Sequence, residues 1–152
     1  MANRKPIYLD YCATTPCDPA VVEAMLPFFT TYFGNASSAS HRYGWEAAEA
    51  VQIAREQVAE LIHASPDEIL FTSGATEALN LAIQGLFTHY HAKGNHLITC
   101  TTEHHAVLDT MQFLEQYRGA KVTRLPVNAN GRLDLEELEN AITNQTILIC
   151  LM

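Results

Sequence analysis

Apolar positions recur along this chain at two spacings, and the alternation between them sets out its elements. Asp18-Pro19 puts a capping carboxylate before a proline at the first helical position. Val22, Met25, Leu26 and Phe29 follow at helical spacing, which predicts a helix there with a kink at Pro27. The polar run GNASSAS, residues 34–40, reads as a loop. Beyond it, Val51, Ala54, Val58, Leu61 and Ile62 mark one face of a long helix over about residues 45–63, and Ser65-Pro66-Asp67-Glu68 is a one-turn capping box. Short apolar or β-branched runs at 69–72, 96–100, 121–125 and 146–151 predict strands, with helices over about 75–90, 105–117 and 135–141 between them. The last of these helices is announced by Asp134 three residues before Glu137, after a turn at Asn130-Gly131. Strands joined by helical crossovers run parallel, so the fold class is α/β with a mostly parallel sheet.

Composition narrows the classes of function. A chain of 152 residues that is 48% hydrophobic has enough apolar material for one compact domain, and no repeat, low-complexity tract or internal boundary stands out. Nine Lys plus Arg face seventeen Asp plus Glu, for a net charge of −8, and no basic run could neutralise a row of phosphodiesters, so DNA is not an expected partner. No apolar run is long enough to cross a membrane, and the start MANRKPIYLD lacks the apolar core of a secretory signal, so no membrane association and a cytoplasmic location are expected. Cys12, Cys17, Cys100 and Cys150 form no CxxC pair or regular framework and are expected to be free thiols. Seven histidines raise the question of a metal. His89 with His91, His96, and the adjacent His104 and His105 lack the i, i+4 spacing that puts two ligands on one helix face, so no metal site is expected.

Two strand-to-helix loops carry the candidate chemistry. In open α/β sheets ligands sit outside the carboxyl ends of the strands, and Ser73-Gly74-Ala75-Thr76 is a loop of that kind. Gly74 permits a tight turn and close approach of a ligand, the first-turn amides are unpaired, and the hydroxyls of Ser73 and Thr76 add donors, so a phosphate would fit. The alternative is that Ser73 or Thr76 merely caps the helix. Thr101-Thr102-Glu103-His104 follows the next strand and must emerge on the same edge if the strands are parallel. His104 could lie flat on an aromatic ligand and move protons near neutral pH, or could be a surface or capping residue.

The motifs TSGATEALNLAIQG, TEHHAVLDT, YLDYCATTPCDP and FGNASSASHRYGWEA, in this order and spacing, resemble the N-terminal part of the cysteine desulfurases of the iron–sulfur cluster assembly type, from about Ile7 to the end of the chain. The resemblance implies a pyridoxal-phosphate-dependent enzyme of the class V aminotransferase family with the aminotransferase-like fold (fold type I). The chain would be an arm and helix at 1–34 followed by part of the large cofactor-binding domain at 35–152. Carried over by position, Ala75 and Thr76 would hold the cofactor phosphate by backbone amide and hydroxyl. His104 would stack on the pyridine ring and serve in proton transfer, while His105 stands where relatives often have another polar residue. Ala13-Thr14-Thr15 and residues 35–41 would belong to the site rim and subunit-interface surfaces. Ala36 replaces a proline common in the family, which loosens that loop slightly without removing a functional group.

The implied reaction takes L-cysteine to L-alanine and hands its sulfur, as an enzyme persulfide, to an acceptor or scaffold protein for iron–sulfur clusters or tRNA thiolation. It needs a Schiff-base lysine, an acid facing the pyridinium nitrogen and a nucleophilic cysteine. In the family all three come later than Met152. Lys5, Lys93 and Lys121 do not match that lysine, nor do the four cysteines match that nucleophile, Cys150 reading more simply as a buried strand residue. Residues 146–152 form an apolar strand of the kind buried on both faces, and a sheet ending there exposes an adhesive edge. The chain is therefore expected to be a fragment, truncated product or one part of a split enzyme, inactive alone, and a homodimer or associated with the missing C-terminal part. A selenocysteine-lyase-like relative and a truncated non-catalytic protein are the alternatives.

Overall fold

The computed structural model describes residues 6–152, so Lys5 lies outside the described residues. The chain divides into two compact units, one ending at Leu70 and one spanning Phe71–Met152.

The first unit is helical. Helix α1, Pro19–Thr30, starts where the sequence places it: the Asp18 carboxylate accepts the Ala20 amide at 2.8 Å, and Pro19 opens the first turn. No residue of α1 is buried, so its apolar stripe is uncovered. Helix α2, Arg42–Leu61, begins three residues before the expected start because His41 supplies a cap, its Nδ1 accepting the Gly44 amide at 3.3 Å. Trp45 Nε1 donates to the Ala39 carbonyl at 2.7 Å and draws the 34–40 loop onto this first turn. The residues α2 buries are Gly44, Ala47 and Ala59, not the expected face, of which Val51, Val58, Leu61 and Ile62 are exposed. Small side chains permit close approach here; a Cβ on Gly44 would collide with the Ser38 carbonyl. The capping box forms as a 3₁₀ turn, Pro66–Glu68, in which the Glu68 carboxylate accepts the Ser65 amide at 2.8 Å.

Residues 69–72 are not a strand. The sheet takes its strands from farther along the chain, and Leu70 and Phe71 of this segment are exposed.

The second unit runs α3 (Ala75–Tyr90), β1 (His96–Cys100), α4 (His105–Arg118), β2 (Lys121–Leu125), α5 (Leu135–Ala141), β3 (Thr146–Ile149). Its sheet has the order β2-β1-β3 with both pairings parallel, as expected. β1 and β2 pair in register from His96 with Lys121 to Cys100 with Leu125, and the β1–β3 ladder is irregular between His96 and Leu97. Leu97 is wholly buried and packs with Ile83 and Phe87 of α3 and with Val107, Met111 and Leu114 of α4, so both helices cover that face. Gly119, left-handed at φ 75°, ends α4. Asn130-Gly131 makes the expected turn, with Gly131 at φ 73° donating its amide to the Asn128 carbonyl at 2.9 Å.

β3 is shorter than expected and is not buried on both faces: Thr146, Ile147 and Leu148 are half-buried and Ile149 is exposed, because one side of this edge strand has no neighbour among the described residues. At the amino ends of the strands the buried ring of His96 ties all three together, Nδ1 lying 2.8 Å from Thr146 Oγ1 and Nε2 2.8 Å from Thr123 Oγ1. Burial, and then the positive charge of Lys121, push this histidine below its usual range.

Candidate active site

The carboxyl edge of the sheet and the starts of α3 and α4 form the candidate site, all within the second unit. Helix α3 has no side-chain cap, and its first backbone bond is Ala78 to Gly74 at 3.1 Å, so the amides of Ala75, Thr76 and Glu77 have no backbone partner. The Thr76 hydroxyl makes no hydrogen bond among the described residues, while the Thr76 carbonyl accepts from Asn80 Nδ2 at 2.9 Å. Positive partial charge at the helix start and three unpaired amides suit an anion.

Two expectations for this loop change. Gly74 has φ 163°, extended backbone open to any residue, so no tight turn demands glycine; a Cβ there would instead meet nothing within 4 Å, which leaves the approach to the amides clear. Ser73 does not offer a free donor, because its amide and its hydroxyl both go to Glu77 Oε2, at 2.6 and 2.7 Å. These bonds, side chain first, hold the Glu77 carboxyl below its usual range. The donors left at this turn are the amides of Ala75, Thr76 and Glu77 and the Thr76 hydroxyl.

His104 is the N-cap of α4. Its Nδ1 accepts the Ala106 amide at 3.0 Å, so the neutral ring carries its proton on Nε2, and the ring is exposed. The capping reading of this histidine therefore describes one ring nitrogen and leaves the other for a ligand. His105 is exposed beside it, with ring centroids 6.4 Å apart. Between the two helices a hollow of about 350 Å³ is lined by Thr76, Asn80 and Gln84 of α3 and by Ala106, Asp109, Thr110 and Phe113 of α4. Thr76 and Ala106 are the second residues of their helices, so the two first turns converge, with Ala75 and His104 on the turns but not in the lining.

The free amides, the free hydroxyl and the open approach over Gly74 fit a phosphate-bearing cofactor. The described lysines do not fit capture of its aldehyde. Lys93 follows the far end of α3, a helix of 16 residues, which at the usual rise is about 24 Å long. It lies instead over the Tyr90 ring, 4.7 Å from its centroid. Lys121 pairs with His96 at the amino ends of the strands, roughly 15 Å from the edge where Thr101 emerges. All four cysteines are free thiols, and Cys150 is pushed up by burial, then by Glu103 and Cys100, which keeps it a protonated, weak nucleophile. Among the described residues no three His, Cys, Asp or Glu side chains converge as a metal site.

Asn80, Thr110 and Glu77 are the site residues the sequence reading passes over. Thr76, Asn80 and Gln84 stand four apart on α3 and form a polar stripe, which is the available signal.

A parallel α/β unit with helix starts converging at its carboxyl edge is shared with known proteins. The profile of the Aminotransferase class-V family matches residues 7–152, and the chain belongs to that family. Within it, the chain is 58% identical over 147 residues to the cysteine desulfurase IscS of Rickettsia massiliae (strain Mtu5), covering 97% of this chain and 36% of that protein. The same shares and identity hold for the cysteine desulfurase IscS of Rickettsia akari (strain Hartford). Among solved structures, a NifS-like protein superposes with a TM-score of 0.88 at 40% identity, over 96% of this chain and 40% of that one. A structure described as SspA in complex with cysteine gives 0.83 at 42% identity, over 95% and 41%. The aminotransferase-like fold expected from the motifs is thus the fold of these relatives, and the chain spans 36% of the length of the curated relatives it matches.

Proposed function

We propose that this chain forms the phosphate-binding and ring-stacking wall of a pyridoxal-phosphate-dependent cysteine desulfurase, which converts L-cysteine to L-alanine and passes the sulfur on as a persulfide. The observation that carries this reading is the shared hollow lined by Thr76 and Ala106, which brings the anion-binding turn of α3 to the turn that His104 caps. The high identity to proteins named cysteine desulfurase supports L-cysteine as the substrate.

When bound, pyridoxal phosphate supplies an electron sink for substrate carbanions. The chain's own residues bind and orient it. The amides of Ala75 and Thr76 and the Thr76 hydroxyl hold the phosphate at the positive end of α3. His104, locked through Nδ1 by Ala106, lies against the ring and moves a proton at Nε2. The lysine, the pyridinium acid and the nucleophilic cysteine come from outside these residues, and the chain works in association with the segments that carry them or as part of a homodimer. An arm and helix at 1–34 and a partial large domain at 35–152, a cytoplasmic location and a sulfur-acceptor or scaffold protein as partner complete the proposal. Among the described residues no helix is long and apolar enough to cross a membrane.

Treatment of the chain with pyridoxal phosphate and then borohydride tests the division of labour. The expected result is no stoichiometric reduced adduct on Lys93 or Lys121, and release of L-alanine from L-cysteine once the segments that complete the family fold are supplied. A stoichiometric adduct at either lysine overturns the proposal.

A further inference from the structure

The hollow between the two helix starts is crossed by hydrogen bonds that phosphate binding and ring stacking do not use. Asn80 Nδ2 donates to the Thr76 carbonyl at 2.9 Å, and only the NH₂ end of an amide can face a carbonyl, so the orientation of Asn80 is fixed. Its Oδ1 accepts from Gln84 Nε2 at 3.0 Å and lies 2.9 Å from Thr110 Oγ1. The Thr110 hydroxyl, on a residue only 4% exposed, is also 2.7 Å from the Ala106 carbonyl, so its one proton is shared between an acceptor on α3 and an acceptor on α4. Ala106 in turn supplies the amide that holds His104. A continuous polar path therefore runs from the backbone of Thr76 through Asn80, Thr110 and Ala106 to the imidazole.

Asparagine and threonine are poor residues for a helix interior, and their side chains compete for backbone carbonyls. Here both competitions are turned toward one contact between α3 and α4. We propose that Asn80 and Thr110 are positioning residues that fix the spacing between the Thr76 turn and the His104 cap, so that phosphate and ring of one cofactor are gripped together. This rests on the reading of Thr76 and His104 given above. A small displacement of either turn would relax one grip while the other is kept, and misplacement of that order is costly in a preorganised site.

The test uses the cofactor-loaded enzyme that contains this chain, with Asn80→Ala, Thr110→Val and Thr110→Ser beside the controls Thr76→Val and His104→Ala. Three quantities are measured: the dissociation constant for pyridoxal phosphate, the visible circular dichroism of the bound cofactor, and the melting temperature without cofactor. Asn80→Ala and Thr110→Val should each weaken retention about tenfold, the scale of one hydrogen bond, and reduce the visible dichroism. Thr110→Ser should restore both, and the double variant should be no worse than the worse single one. A lowered melting temperature with unchanged retention and dichroism would make the pair mere helix packing and overturn the inference. If Thr76→Val and His104→Ala also leave retention unchanged, the underlying reading of the site fails as well.

Discussion

Thr76 is the residue on which the binding reading can be tested most cheaply, because its hydroxyl has no competing partner among the described residues. Thr76→Val should cost cofactor retention roughly 1–3 kcal/mol, and Thr76→Ser should keep it; titration of the apo-enzyme with pyridoxal phosphate measures both. Ser73, equally prominent in the sequence, should behave otherwise, since its hydroxyl is committed to Glu77. The motif TSGAT reads as a candidate anion loop, but which hydroxyl is free depends on an acid four residues on folding back to Ser73. His96 gives a prediction in pH. Its folded-state value lies below the ordinary 6.5, so below that pH the unfolded chain binds more protons than the folded one. Its stabilising contribution is complete above about pH 6.5 and is lost as pH falls toward the lowered value. Melting temperatures across pH 5 to 8 should therefore drop on the acid side, and His96→Gln should flatten that slope.

At the scale of elements, β1, β2, α3 and α5 occupy the bounds read from the sequence, because each has a local pattern and a local stop signal. Asp134 caps α5 by accepting the Glu136 amide at 2.8 Å; Asp134→Ala should cost about 0.5–2 kcal/mol in urea denaturation. Residues 69–72 and the last two residues of the final expected strand differ for the opposite reason: strand status depends on a partner elsewhere, which no local pattern encodes. The start of α2 was misplaced because a histidine cap is less recognisable than an Asp or Ser cap. Gly94 marks another non-local constraint. It is buried where the approach to β1 touches the approach to β3, and an added Cβ would collide with the Gln145 carbonyl. Gly94→Ala should destabilise the protein by about 1–3 kcal/mol, visible as a lower urea midpoint, by pushing apart the segments joined by the His96 amide to Gln145 carbonyl bond of 2.9 Å.

Across the molecule, apolar surface is left uncovered in both units: α1 buries no residue, α2 exposes Leu61 and Ile62, and β3 presents Ile149 at a sheet edge. The chain on its own should therefore self-associate, with a light-scattering mass that rises with concentration, and Ile149→Lys should reduce that rise by charging the edge. A concentration-independent monomer with a sharp thermal transition would contradict this. The polarity of the parallel sheet also separates two histidines, with His96 at the start of β1 and His104 at the cap of α4. The cap on His104 adds a restriction of its own. With Nδ1 held by the Ala106 amide, the imidazole has a single port. A proton taken up at Nε2 must be given back at Nε2, so the ring is a dead end rather than a conduit. On the proposed reading, His104 exchanges protons only on its ligand side.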